Sequence, residues 1–197
     1  MCVSVIGLGY VGLPLSLLIS KKNHVIGIDI DKKKIDYLNL NKSYIERIKS
    51  KKISIFNKKN IFSNDFSKVL MSDFIIICVP TPLKKNKSPD LSFIKNAITK
   101  IKPYIKKGQT IILESTSYPG TTNDLIVKVL SKSFIVGKEV FVGFSSERID
   151  PGRNDNEIQK IPKVVSGYSN FCLEIISKFY KKNFSKIFKA DSLLIAE

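Results

Sequence analysis

Three glycines, Gly7, Gly9 and Gly12, stand between a short apolar run and a helix-patterned one, and this placement constrains the fold more than any other feature. A strand over 2–7 feeds the turn and a helix over 11–22 leaves it. In such a GxGxxG turn Gly7 permits the tight bend, Gly9 lets backbone N–H groups approach a pyrophosphate, and Gly12 lets helix and strand pack closely. The helix N-terminus adds partial positive charge and unbonded donors. The glycine spacing alone is a weak signal. Here a second apolar run, 24–30, carries Asp29, which lies 17 residues beyond Gly12. An acid at that place accepts hydrogen bonds from a ribose 2′-OH and repels a 2′-phosphate, which predicts NAD as cofactor rather than NADP. Asp31 is the weaker candidate for the ribose. Lys32, Lys33 and Lys34 pull the other way, since cations there can hold a 2′-phosphate.

The rest of the chain continues the alternation. A helical stretch covers 32–40, and the Lys-rich segment 41–60 is open between helix and surface loop, with a short strand near 60–63. The run FIIICV (74–79) is the clearest strand, with four β-branched residues in six. A helix is expected over 91–106 with Asp90 as its cap, a strand over 110–115, and a helix over 121–132. Short strands are expected at 139–144 and 163–167, a helix at 169–181, and the start of a capped helix at 191–197. Strands alternating with helices predict an α/β fold, a Rossmann-like, doubly wound and mostly parallel sheet.

Composition narrows the classes. A chain of 197 residues is one large domain, or one domain and the start of another. Cys2, Cys78 and Cys172 are far apart and form neither a CxxC pair nor a zinc pattern, so packed thiols and no metal are expected, with Cys2 buried and unreactive in the first strand. His24 opens a strand and reads as structural. No apolar run approaches the ~20 residues of a membrane span. No basic leader or cleavage site precedes the first strand, so a cytoplasmic protein without membrane partners is expected. The net charge of +16 suggests nucleic acid at first sight. Thirty of the 33 basic residues are Lys, however, and they are scattered among Ile and Asn, whereas base readout favours Arg. No nucleic-acid partner is expected. The positive field would instead help attract an anionic nucleotide.

The blocks GLGYVGLPLS (7–16), GIDID (27–31), CVPTPL (78–83), PDLS (89–92), ESTSYPGTT (114–122) and SSERIDPGR (145–153) follow one another along the chain. In order and spacing they resemble the UDP-glucose/GDP-mannose dehydrogenase family, and within it the UDP-N-acetylglucosamine 6-dehydrogenase branch. Taken alone, the VPTP loop is equally readable as a tight turn, and the Ser/Thr-rich end of the strand at 115 as an ordinary cap. The resemblance implies more. It makes Gly7, Gly9, Tyr10, Val11, Gly12, Asp29, Lys34, Thr81 and Thr116 cofactor-binding, and puts Thr116 near the nicotinamide and the catalytic water. Glu147 resembles the general base of the second half-reaction and Arg148 a substrate-binding residue, with Arg153 a weaker candidate. Ser146 stands where the family usually has Pro, which loosens the aim of Glu147.

The family oxidises the C6 hydroxymethyl of a UDP-sugar to a carboxylate with two NAD⁺, through a cysteine-bound thioester that a base-activated water releases. Its nucleophile sits in a GGxC stretch that none of the three cysteines here matches. Its central helix begins AExxK, and this chain reaches Ala196 and Glu197 where that helix should start. The resemblance therefore implies a division into an NAD-binding domain over 1–190 and the start of a central helix over 191–197. The complete enzyme is expected to form a homodimer through the missing helix, and the chain by itself to be inactive and mostly monomeric. The substrate expected is UDP-N-acetylglucosamine, with UDP-glucose or UDP-N-acetylmannosamine as alternatives. The competing readings are a non-catalytic NAD-binding module and a basic interaction protein on an α/β scaffold.

Overall fold

In the computed structural model, which describes residues 1–146, 159 and 161–197, the expected alternation is present. It runs β1 (Cys2–Ile6), α1 (Gly12–Ile19), β2 (His24–Ile28), α2 (Lys32–Asn39), α3 (Ser50–Asn57), β3 (Ile61–Ser63), β4 (Phe74–Ile77), α4 (Ser92–Ile101) and β5 (Thr110–Leu113). It continues with α5 (Lys128–Leu130), β6 (Phe141–Phe144), β7 (Lys163–Gly167), α6 (Asn170–Lys181), β8 (Ile187–Lys189) and α7 (Leu193–Ala196). All eight strands join one sheet in the order β3-β2-β1-β4-β5-β6-β7-β8. Every pairing is parallel except β6 with β7. The chain thus winds outward from β1 in one direction and from β4 in the other. The gap between their carboxyl ends is where such sheets bind ligands.

The strand residues explain the two-sided packing. β4 and β5 are buried along their whole lengths, as parallel strands covered by helices on both faces must be. Alternate residues divide between two cores. Val3, Val5 and Ile76 pack against α1, α3 and α6, while Ile75, Ile77, Ile111 and Leu113 pack against α4 and the helix before β6.

Several expected boundaries change. The open segment 41–60 resolves into a loop, then α3, whose Ile53 and Phe56 are buried against α1. The stretch 91–106 is α4 followed by a 3-10 turn, Lys102–Tyr104, because Pro103 cannot donate to an α-helical ladder. The N-cap is Leu91, without a side-chain cap bond, and not Asp90 as expected; Asp90 stands one residue earlier, where its carboxylate accepts the Ser92 N–H at 3.0 Å, and that bond holds its pKa below the usual carboxylate range. The helix over 121–130 contains a π-helical stretch, Asn123–Val127. β8 was not expected. It is a three-residue strand, IFK, whose one neighbour among the described residues is β7, so its sequence shows no buried run. Cys2 corrects another expectation: it is half-buried, not buried, because the first residue of β1 sits at the rim of the sheet. Its Sγ lies 3.6 Å from Nδ1 of His24 and 3.7 Å from Oγ of Ser72. Cys78 and Cys172 are buried. Among the described residues no helix is long and apolar enough to cross a membrane, and no three His, Cys, Asp or Glu side chains gather as a metal would need.

One buried ion pair ties the far half of the sheet together. Glu114, just past β5, is fully buried, and Lys163 at the start of β7 donates to its Oε2 at 2.8 Å. The Tyr180 hydroxyl of α6 donates to Oε1 of the same carboxylate. Lys163 also reaches the Ser146 carbonyl at 3.3 Å, and its ammonium stands 5.6 Å from the Tyr180 ring centroid and 5.5 Å from that of Phe184. A buried pair loses little when both charges go and much when one goes, because the remaining charge is desolvated. We expect Lys163→Met to destabilise the chain by about 3–5 kcal/mol in urea unfolding, and Glu114→Gln with Lys163→Met together to restore most of it. A Lys163→Met loss below about 1 kcal/mol would show that the pair carries no structural load.

Candidate cofactor-binding site

The glycine turn follows β1 at the switch point. Its Gly7 N–H continues the sheet by donating to the Ile28 carbonyl at 2.7 Å. Gly7 has φ +92°, a left-handed conformation that side chains resist, and a Cβ there would meet the Cys78 carbonyl at 2.8 Å. A Cβ on Gly12 would stand 1.8 Å from the Gly7 carbonyl oxygen, so α1 reaches its place on the sheet only without one. Gly9 differs from both: a Cβ on it would meet nothing within 4 Å. Its missing side chain serves no contact inside the protein and leaves the mouth of the turn open. Among the described residues no side chain caps α1. Among the described residues the N–H groups of Gly9, Tyr10 and Val11 have no acceptor. Three free donors at an uncapped helix start, beside an open backbone, form a cradle for an anion.

A cleft of about 500 Å³ opens over this cradle. Gly9, Tyr10, Val11, Lys34, Thr81 and Thr116 all line it, so six of the residues singled out from the sequence come together. Thr81 is delivered by the loop after β4 and Thr116 by the loop after β5. Gly7, Gly12 and Asp29 lie beneath, as the support of the cradle. Glu147, Arg148 and Arg153 lie outside the described residues.

Asp29 is buried just beyond β2. Its Oδ2 accepts the Leu8 N–H at 2.7 Å and its Oδ1 the Asp31 N–H at 2.9 Å, and Lys34 Nζ stands 3.7 Å from Oδ2. A carboxylate has about four lone-pair sites, so two backbone bonds leave room for ribose hydroxyls. Asp31 is accounted for otherwise: its Oδ1 caps α2 by accepting the Lys33 and Lys34 N–H groups. Of the lysines, Lys34 is drawn to Asp29, while Lys32 and Lys33 are exposed.

Sequence reasoning missed three groups around the cleft. Tyr44 lies in the segment left open between helix and loop, lines the cleft, and donates its hydroxyl to the Leu8 carbonyl. Burial, and then the charges of Asp29 and Asp31, push its pKa well above the usual tyrosine value, so it stays a donor. Arg47 in the same segment donates from Nη2 to the Tyr10 carbonyl at 2.8 Å. Glu197 accepts the Gly120 N–H at 2.6 Å, the Thr122 N–H at 2.7 Å and the Thr122 hydroxyl, closing the start of the helix that follows Thr116. None has a local sequence signal, because each acts on backbone distant in the chain. Only the polar run NKSYIER, placed after a helix with no periodicity of its own, marks the first two.

The model of the UDP-glucose/GDP-mannose dehydrogenase family, NAD binding domain, matches residues 1–184. Protein CapL of Staphylococcus aureus is 36% identical over 198 residues, which cover 99% of this chain and 46% of that protein. The UDP-N-acetyl-D-glucosamine 6-dehydrogenase of Salmonella typhi is 32% identical, again over 99% of this chain and 46% of the relative. The solved structure of a UDP-D-ManNAc dehydrogenase from Pyrococcus horikoshii superimposes with a TM-score of 0.93 at 28% identity, over 100% of this chain and 48% of that one. The chain thus spans a little under half the length of the relatives it matches. With an open glycine cradle at the switch point, a buried acid after β2 and a family match over nearly its whole length, this chain belongs to the UDP-glucose/GDP-mannose dehydrogenase family and corresponds to its NAD-binding domain.

Proposed function

We propose that this chain is the cofactor-binding half of a nucleotide-sugar 6-dehydrogenase, which oxidises the C6 hydroxymethyl of a UDP-sugar to a carboxylate with two NAD⁺. The observation that carries the reading is the open cradle at Gly9 set beside the buried carboxylate of Asp29. The donor set suits a dinucleotide: backbone N–H groups for the pyrophosphate, an acid for the ribose, and hydroxyls of Thr81 and Thr116 farther along the cleft. When bound, NAD⁺ supplies the hydride acceptor. The chain's own residues hold and orient it: Gly9, Tyr10 and Val11 by their N–H groups, Asp29 and Lys34 at the ribose, Thr81 and Thr116 toward the reacting end. Thr116 holds a water by its hydroxyl, and Glu147 takes that water's proton while Arg148 binds the sugar nucleotide. The division at 190, with residues 191–197 opening a further helix, is part of the same reading, as is a dimer of the whole enzyme.

The preferred substrate is UDP-N-acetylglucosamine, on the strength of the ESTSYPGTT and SSERIDPGR blocks and the Salmonella typhi relative. UDP-N-acetylmannosamine is the second reading, favoured by the likeness to the Pyrococcus horikoshii structure.

Calorimetric titration should show NAD binding at least about tenfold tighter than NADP, since a 2′-phosphate brought against Asp29 loses a charged hydrogen bond worth about 1.5–3 kcal/mol. Equal affinity for the two would sink the assignment. Gly9→Ala and Gly12→Ala should separate cradle from scaffold. Gly9→Ala should keep the melting temperature and lose NAD, because the added methyl group fills only the open mouth. Gly12→Ala should unfold readily, because its methyl group meets the Gly7 carbonyl. Two variants that lose NAD and stability in step would assign both glycines to the scaffold.

The chain alone should sustain no oxidation of UDP-N-acetylglucosamine, UDP-glucose or UDP-N-acetylmannosamine to the carboxylate, because the aldehyde left by a first hydride transfer finds no accessible thiol to carry it to a thioester: Cys78, the cysteine that lines the cleft, is buried. Steady NADH production would show that the remaining half of the enzyme is dispensable.

A further inference from the structure

The donors of the glycine turn must face the right way before they can hold a pyrophosphate, and α1 itself fixes only the Tyr10 N–H, through the Leu13 N–H that donates to the Gly9 carbonyl at 3.1 Å. Peptide groups are planar and trans, so fixing a carbonyl fixes the N–H of the next residue, which points the opposite way. The Leu8 carbonyl and the Gly9 N–H share one peptide plane, and the Tyr10 carbonyl and the Val11 N–H share another. Both carbonyls are held from outside the turn by one short segment: Tyr44 donates to Leu8, and Arg47 to Tyr10 at 2.8 Å. The two N–H groups on the opposite ends of those planes are among the three without an acceptor.

We propose that Tyr44 and Arg47 are positioning residues for the cofactor, which aim the Gly9 and Val11 N–H groups at the pyrophosphate by holding the carbonyls across the same peptide bonds. The inference rests on the reading of the cleft as an NAD site and extends it to two residues outside the glycine motif. The segment is a rigid mount. Ile45 and Ile48, which flank these side chains, are buried in the core beside α1, so the loop cannot swing away without opening that core. Leu8 is held on its other side too, since its own N–H goes to Asp29. Asp29 therefore orients the peptide before Leu8, Tyr44 the peptide after it, and Arg47 the one at the helix start. The raised pKa of Tyr44 keeps its proton in place over the whole physiological range. Arg47 also brings a permanent positive charge to a position beside the cradle.

Tyr44→Phe removes one hydroxyl and keeps the ring, and Arg47→Met removes the donor and keeps the stem. NMR titration of the wild type and both variants with NAD and with adenosine, which has no pyrophosphate, tests the idea. Each variant should lose about three- to tenfold in NAD affinity with adenosine binding unchanged, and the two losses should multiply in the double variant, since the peptide planes are separate. The Gly9 amide resonance should move in free Tyr44→Phe, and the Val11 resonance in free Arg47→Met. NAD affinity equal to wild type in both variants overturns the proposal. So does a parallel fall for NAD and adenosine, which would mean a general disturbance of the pocket. A wild type that takes up no NAD overturns the reading of the cleft, and this inference with it.

Discussion

The contact that the rest of the structure depends on is the close approach of α1 to the turn that precedes it. With hydrogen in place of a side chain at Gly12, the helix start lies against the Gly7 carbonyl, at a distance no other residue tolerates. This approach sets the helix across the sheet so that Leu13, Leu15 and Ile19 enter the core under β1 and β4. It also points the helix N-terminus at the carboxyl edge of the sheet. Packing and ligand chemistry thus come from one geometric condition. The helix that buries apolar surface most fully is the helix whose free N–H groups face the cleft.

Around that contact the protein spends polar groups on backbone rather than on other side chains. Asp29, Tyr44 and Arg47 bond the glycine turn, and Glu197 bonds the start of the helix after Thr116. Loops built of Gly, Pro, Ser and Thr have few side chains with which to hold themselves. Their conformations are set by partners from elsewhere in the fold, and the loops of the cleft are made of these residues. On the opposite wall the brace is a pair of side chains, Glu114 and Lys163, of which Lys163 also bonds backbone. It links the strand end that delivers Thr116 to Ser146 at the end of β6, the position before Glu147.

This division explains what the sequence discloses. The sheet was legible because parallel strands buried on both faces are continuous apolar runs, and FIIICV or TIIL can be little else. The glycine turn was legible because its demands are on residue type and are local: Gly7 for its φ, Gly12 for its contact, Gly9 for its openness. Cleft residues such as Thr81 and Thr116 were legible only through their likeness to a family, since a threonine after a strand has many uses. Tyr44, Arg47, Lys163 and Glu197 were not legible. Their roles depend on partners 36, 37, 49 and 75–77 residues away, which no window of sequence contains. β8 was missed for a related reason: a three-residue edge strand, mostly exposed, owes its existence to β7 and not to its own composition.

The charge of the chain takes on a different meaning once the site is in view. A net +16 spread over scattered lysines attracts any polyanion weakly and selects none. On the proposed reading, selection in the cleft falls to fixed dipoles and to the Asp29 carboxylate beneath it. The cradle offers neutral N–H groups at a helix start, and with a dinucleotide bound as proposed the acid at Asp29 would oppose an anion at the ribose 2′ position, where NAD and NADP differ. Lys34 offsets part of this charge, because its ammonium stands 3.7 Å from Oδ2 of Asp29 and 5.8 Å from the Tyr44 ring centroid. On the proposed reading, a long-range positive field brings a dinucleotide to the surface, while the preference among dinucleotides falls, over a few ångströms, to the carboxylate bonded to the Leu8 N–H of the glycine turn.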